Sequence, residues 1–279
     1  MKKFLSFALA LTLCASLAAC GNGGNTSGSD NTSSSGSGSS SQNQTSDMQY
    51  VKDKGTLVVG ITEFEPMDYQ DENGNWIGFD ADLASAFAQY LGVEVQFQVI
   101  DWDNKVMELD GKTIDVVWNG MTLNDEVKAA MECSNPYFDN AQVVIVPADK
   151  AAEYQTVESV QDLAFSVEVG SAAKAQAEEY GFNYTEAADQ ATALLEVSSG
   201  TADAAIIDYL MSVAMTGEGT SYADLTSTVS LNTEQYGVGF RKDSDLAEEL
   251  NKFFAEKYAD GTMEQIADQY GIADKLVEQ

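Results

Sequence analysis

The stretch that decides the fold is Ile114–Lys128, "IDVVWNGMTLNDEVK". Ile114–Trp118 reads as a strand of the kind buried in parallel sheets. Gly120 and Thr122 then read as a corner beyond the carboxyl end of that strand, where open α/β sheets place their ligands. At such a corner the glycine lets a ligand approach backbone carbonyl and amide groups, and the threonine hydroxyl adds a hydrogen bond; a plain turn is the alternative. Glu126-Val127-Lys128 falls in the helix that follows.

The same grammar repeats outward from this strand. Upstream, Leu57–Ile61 reads as a buried strand, and Met67–Gln70 with Trp76–Phe79 as a hairpin around Asn73-Gly74. Asp80 is placed to cap a helix whose Leu83, Phe87 and Leu91 share one face and which stops at Gly92. Val93–Val99 alternates as a strand, and a helix is expected over Asp103–Leu109. Downstream come strand Phe165–Val169, helices Ala172–Tyr180 and Asp189–Ser199, strand Ala204–Ile207, and closing helices that carry Leu246, Leu250, Phe253, Phe254, Met263, Ile266 and Tyr270. Strand and helix alternating at this spacing imply an α/β fold with right-handed crossovers. Two such sets, before and after Pro147, imply two lobes. Asp71–Asn75 brushes the calcium-loop pattern, but Trp76 stands at the sixth place, which needs glycine, so no metal site is expected.

Composition narrows the functions. Of 279 residues, 44% are hydrophobic, enough for packed cores. Lys and Arg number 14 against 45 Asp and Glu, a net charge of -31 that repels nucleic acid and anionic surfaces. The absence of histidine removes Ser-His, Cys-His and His-zinc chemistry. Lys2-Lys3 followed by the apolar run Phe4–Ala19 reads as a secretory signal, residues 1–19. Its end, Leu17-Ala18-Ala19-Cys20, resembles a bacterial lipoprotein signal. The resemblance implies lipid on Cys20 and a place on the extracellular face of the membrane; an ordinary signal with a chance cysteine is the alternative. Residues 20–46 are Gly, Ser, Asn and similar polar types after the cysteine, a composition for a flexible linker. Only Cys133 then remains as a thiol, so no intramolecular disulfide is expected.

Seven tags in order carry a wider resemblance: Gly60–Met67 ("GITEFEPM"), Gly78–Leu83 ("GFDADL"), Gly111–Thr122, Ser134–Tyr137 ("SNPY"), Val169–Ser171, Asp203–Asp208 ("DAAIID") and Tyr236–Phe240 ("YGVGF"). With them the chain resembles the amino-acid-binding class, family 3, of extracellular solute-binding proteins that serve ABC importers. The resemblance implies a two-lobed periplasmic-binding-protein-like fold of type II, each lobe a β-sheet flanked by helices and joined by two hinge crossings, near Val143–Pro147 and Thr233–Val238. Lobe one is expected over residues 47–145 and 237–279, and lobe two over 146–236. The ligand is expected between lobes that close over it.

Candidate ligand residues follow. Glu63, Phe64 and Met67 lie in the turn after the first strand, where Phe64 could stack on a ligand or simply join the core. Trp118, Asn119, Gly120, Met121 and Thr122 line the corner. Gly170, Ser171 and Ala172 open a helix directly after a strand, with amides and dipole that favour an anionic or carbonyl group, or form a plain cap. Asp208 ends a strand and would pair with an ammonium, or cap the helix from Tyr209. In the family an arginine five residues beyond the threonine holds the ligand's carboxylate; here that position is Val127, while Glu126 is retained. Arg241 is the single arginine. The expected ligand is therefore a small amine or amino-acid-like solute, cationic or poor in carboxylate, with Lys128 or Lys174 as the donors that could compensate. Neither catalysis nor a cofactor is expected, and the partners are ABC permease subunits for a protein that is itself monomeric. A sensory or adhesive module on the same fold, or a dehydratase-like enzyme, are the competing readings.

Overall fold

The computed structural model describes residues 46–279; the expected signal, Cys20 and nearly all of the expected linker lie outside them. The described chain runs α1 (Asp47–Lys54), β1 (Thr56–Ile61), β2 (Tyr69–Gln70), β3 (Trp76–Ile77), α2 (Phe79–Leu91), β4 (Glu94–Val99), α3 (Lys105–Asp110), β5 (Val116–Thr122), α4 (Asp125–Ala130), β6 (Glu132–Cys133) and β7 (Phe138–Asn140). It continues through β8 (Gln142–Pro147), α5 (Val157–Val160), β9 (Ala164–Glu168), α6 (Ala172–Tyr180), β10 (Asn183–Ala187), α7 (Gln190–Ser198), β11 (Ala204–Asp208), α8 (Tyr209–Met215) and β12 (Leu225–Ser230). The end is β13 (Glu234–Phe240), α9 (Leu246–Ala259) and α10 (Thr262–Gln269).

Two mixed sheets result. The first has the order β4-β1-β5-β13-β6, with β7 also on β13; the second has β10-β9-β11-β8-β12. In the first, β1 runs parallel to β4 and β5, and β13 runs antiparallel to β5. Val116 and Trp118 of β5 face α2 and α9, where the Trp118 ring lies 6.2 Å from Phe87 and 5.6 Å from Phe254. Val117 and Met121 face the other way, onto a smaller cluster with Leu109 and Val127. In the second sheet β9 is parallel to β10 and β11, and β8 is antiparallel to β11 and β12, over a core of Val144, Val146, Phe165 and Ile206.

Three expectations change. The run Ile114–Trp118 does not end at a corner: β5 continues to Thr122 because β13 returns beside it, Tyr236 opposite Thr122 and Phe240 opposite Val116. The register jumps between Gly237 and Gly239, which face Met121 and Val117, so Trp118–Gly120 form a bulge in which Gly120 takes φ 55°. Asp80 is not a cap. Gly78 precedes the helix, and Asp80 is fully buried, accepting from Gly120 N at 2.7 Å and Tyr137 OH at 2.8 Å. The crossings also fall earlier than expected: β8 already pairs in the second sheet at Gln142, opposite Asp208, and β13 joins the first sheet from Glu234. At the loop that brushes the calcium pattern, Asp71 closes its own turn by accepting from Asn75 Nδ2 at 3.0 Å and from Asn75 N and Asn73 N, each at 2.8 Å, and these bonds, the Asn75 side chain first, hold its carboxyl down at about 2.

Candidate functional site

Between the sheets lies a cavity of about 270 Å³. Phe64 lies against its first-sheet wall, only 2% exposed, with its ring edge-on to Tyr236 at 6.2 Å. A Cβ on Gly120 would stand 2.5 Å from the Phe64 ring, so glycine is what lets the ring reach the strand. The Gly120 amide is committed to Asp80, which leaves a ligand only its carbonyl edge. Asn119 is committed too: its side chain holds Thr62 N, Thr62 Oγ1, Thr62 O and Asp68, pinning the turn that carries Phe64. Thr122 donates its hydroxyl hydrogen to Glu234 Oε1 at 2.9 Å, so the face it offers is that of an acceptor. Val127, 6% exposed, is an apolar patch of the wall, with its own amide bonded to Asn124 Oδ1.

From the second sheet come Glu168, Gly170, Ser171, Ala172 and Asp208. Ser171 caps α6, accepting from Lys174 N and donating to the Glu168 carbonyl. Asp208 does not cap α8. Its Oδ1 accepts from Asn140 Nδ2 at 2.6 Å, Gln142 Nε2 at 3.0 Å and Tyr236 OH at 2.7 Å, and its Oδ2 from Gln190 Nε2 at 2.6 Å. Gln190 Oε1 in turn receives the Asp208 amide at 2.9 Å. Burial, and then the nearby Glu234, push the Asp208 carboxyl up to about 7 against the pull of these donors. Glu168 is only 3% exposed. Burial raises its carboxyl well above the usual range, and Asp208 and Asp189 add to this.

Among the expected site residues, Phe64, Asn119, Gly120, Met121, Thr122, Val127, Gly170, Ser171, Ala172 and Asp208 line the cavity. Glu63, Met67 and Trp118 do not: Glu63 is exposed outside it, while Met67 and Trp118 are fully buried in the first core. Trp102, Lys105, Asn124 and Gln190 also line it and were not expected. Lys105 spans the mouth, with Nζ 2.9 Å from the Gly170 carbonyl and 3.1 Å from that of Trp102, whose ring it overlies at 4.9 Å. Burial lowers its pKa, opposed by Glu168, Glu126 and Asp103. Lys174, one of the two compensating donors considered, lines the cavity but is paired with Glu186 at 2.7 Å; Lys128 is exposed and away from it. Arg241 lies elsewhere, joining Asp47 to the carbonyls of Leu109 and Ile114.

The family model for bacterial extracellular solute-binding proteins, family 3, matches residues 57–273. The L-cystine-binding protein TcyJ of Escherichia coli is 29% identical over 232 residues, 80% of this chain and 85% of its own. The arginine-binding extracellular protein ArtP of Bacillus subtilis is 28% identical over 284 residues, 99% and 100% of the two chains. Among solved structures, the P235GK mutant of ArgBP from T. maritima superposes with a TM-score of 0.75 at 32% identity, covering 80% of this chain and 98% of that one. A shorter match, 27% over 118 residues or 42% of this chain and 44% of the other, reaches a cyclohexadienyl dehydratase of Pseudomonas aeruginosa.

Proposed function

The chain belongs to the bacterial extracellular solute-binding proteins of family 3, with the type II periplasmic-binding-protein fold, and from that premise we propose that it captures a small amine-bearing solute and hands it to an ABC permease. The observation that carries this reading is Asp208, a buried carboxylate aimed into the cavity and fixed by four side-chain donors, yet in no ion pair with any described lysine or arginine. Donors of that kind hold a carboxylate in place without cancelling its charge, so an ammonium is the natural complement. Thr122, reduced to an acceptor, and Val127, unable to serve a carboxylate, tilt the site the same way. The favoured ligands are therefore a basic amino acid, as in the arginine-binding relatives, or an amine poor in carboxylate.

We read the site as a receptor rather than a catalyst because Asp208 is saturated by groups built into the fold, which suits a fixed charge better than a proton carrier. Lipid attachment at Cys20, a tether over residues 20–46, monomeric state and delivery to a permease belong to the same proposal. Calorimetry of the purified protein against L-arginine, L-lysine, L-histidine, L-cystine and agmatine tests it. Saturable binding that Asp208→Asn weakens by about 30-fold or more supports it. No binding by any of these amines, or conversion of the bound compound into a product, overturns it.

A further inference from the structure

Glu168 closes β9 where the second sheet meets the cavity, and its Oε1 is buried with no hydrogen-bond partner. Every element packed around it presents either another acid or a group already engaged. Asp208 at the end of β11 and Asp189 at the cap of α7 add negative charge. Gln190 of α7, held by Asp208 on both of its amide atoms, gives Glu168 a hydrogen bond that only partly offsets its burial. Lys105 of α3 is the nearest cation, but it forms no ion pair with Glu168 and donates instead to the carbonyls of Gly170 and Trp102. An unpaired buried carboxylate is among the costliest groups a fold can hold, and it persists where a partner arrives from outside.

We infer that Glu168 is a second cation receptor beside Asp208, and that the ligand therefore carries two positively charged groups, one for each carboxylate. The inference rests on the capture of an amine at Asp208 and sharpens it to a dication. Lys105 is the one cavity-lining lysine without a carboxylate partner among the described residues, and of the five acids that line the cavity only Glu168 and Asp208 are buried, Asp103, Glu126 and Glu178 being exposed, so two buried acids and the Lys105 ammonium set the charge of the site. The charge complement of that set is a basic amino acid, with an amine, a second cationic head and one carboxylate. Burial raises the Glu168 carboxyl well above the usual range, and a cation placed beside it pulls it back down, so binding favours release of a proton to solvent.

The test compares L-arginine with L-citrulline, which replaces the guanidinium by a neutral ureido group of nearly the same shape, on the wild type and on Glu168→Gln. Calorimetry near pH 6 in buffers of different ionisation enthalpy also counts protons. Expected are wild-type discrimination for arginine of about 30-fold or more, its collapse in Glu168→Gln with citrulline affinity little changed, and proton release that is smaller in the variant, where Asp208 still contributes. Equal affinity for arginine and citrulline in the wild type, or discrimination that survives Glu168→Gln, overturns the role of Glu168 and leaves the amine receptor standing. Binding of neither compound overturns both. Should the variant fail to fold, the wild-type comparison alone decides, since equal affinity for arginine and citrulline overturns the inference.

Discussion

Asp208 and Glu234, one from each sheet, accept hydrogen bonds from the same two side-chain amides. Asn140 Nδ2 lies 2.6 Å from Asp208 Oδ1 and 2.8 Å from Glu234 Oε1, and Gln142 Nε2 lies 3.0 Å and 2.8 Å from the same two oxygens. Asn140 and Gln142 bracket the first crossing between the sheets, so the crossing and the carboxyl that lines the cavity are parts of one network.

Glu234 is one of the reasons the Asp208 carboxyl is pushed up to about 7, second only to burial. Glu234→Gln removes that repulsion while keeping an acceptor for Thr122. The pH midpoint at which amine affinity is half lost, followed by titration calorimetry between pH 5 and 8, should fall below that of the wild type. An unchanged midpoint would show that Glu234 does not tune the site.

Stability should decline with rising pH. Asp80 and Asp208 are both raised from 3.8 to about 7, chiefly by burial, and Asp68 is raised by burial and by Asp80. With folded pKa values above the unfolded ones, their contribution is complete below about 3.8 and is lost as pH climbs through 7. Thermal unfolding without ligand should therefore give a higher Tm at pH 5 than at pH 8. Asp208→Asn should flatten part of that slope.

Val127→Arg restores a cation to the first-sheet wall. Affinity for L-arginine relative to L-arginine amide should rise by about tenfold or more, since a charge-assisted pair in a partly buried site contributes well over 1 kcal/mol. If the wild type already strongly prefers the free acid and the variant adds nothing, Val127 does not mark a changed specificity.

Ligand should draw the lobes together about the crossings near Asn140–Gln142 and Ser230–Glu234. Small-angle scattering reads this as a smaller radius of gyration on adding a tight ligand. Binding without compaction would remove the hinge from the account.

Cys20 should be recovered as the first residue, acylated, when the protein is extracted from membranes and its N-terminal peptide is weighed by mass spectrometry. An unmodified soluble chain that starts elsewhere would refute lipid anchoring.

The alternation of strands and helices was legible because it is written in local periodicity. Thus α6 begins at Ala172 and ends at Tyr180 as read, and Gly92 terminates α2 in a left-handed conformation. What escaped was decided by distant partners. Asp80 has the look of a cap, but its true partner is the Gly120 amide 40 positions away. The extension of β5 through Thr122 depends on β13, which follows more than a hundred residues later. Ten of the thirteen expected ligand residues line the cavity because strand ends and helix starts can be located from sequence. Lys105 and Gln190 were missed because periodicity places a residue on a helix without saying which helix will look across at the other sheet.

At the mouth, Gly170 (φ 67°) meets the turn that precedes α3 so closely that a Cβ there would lie 2.6 Å from Asp103 Oδ1 and 2.8 Å from Asp103 Cα. A single methyl at this point would act as a doorstop. The jaws would stay ajar by the thickness of one carbon, the bound molecule would keep an exit to water, and a receptor built to hold its cargo would become one that only samples it.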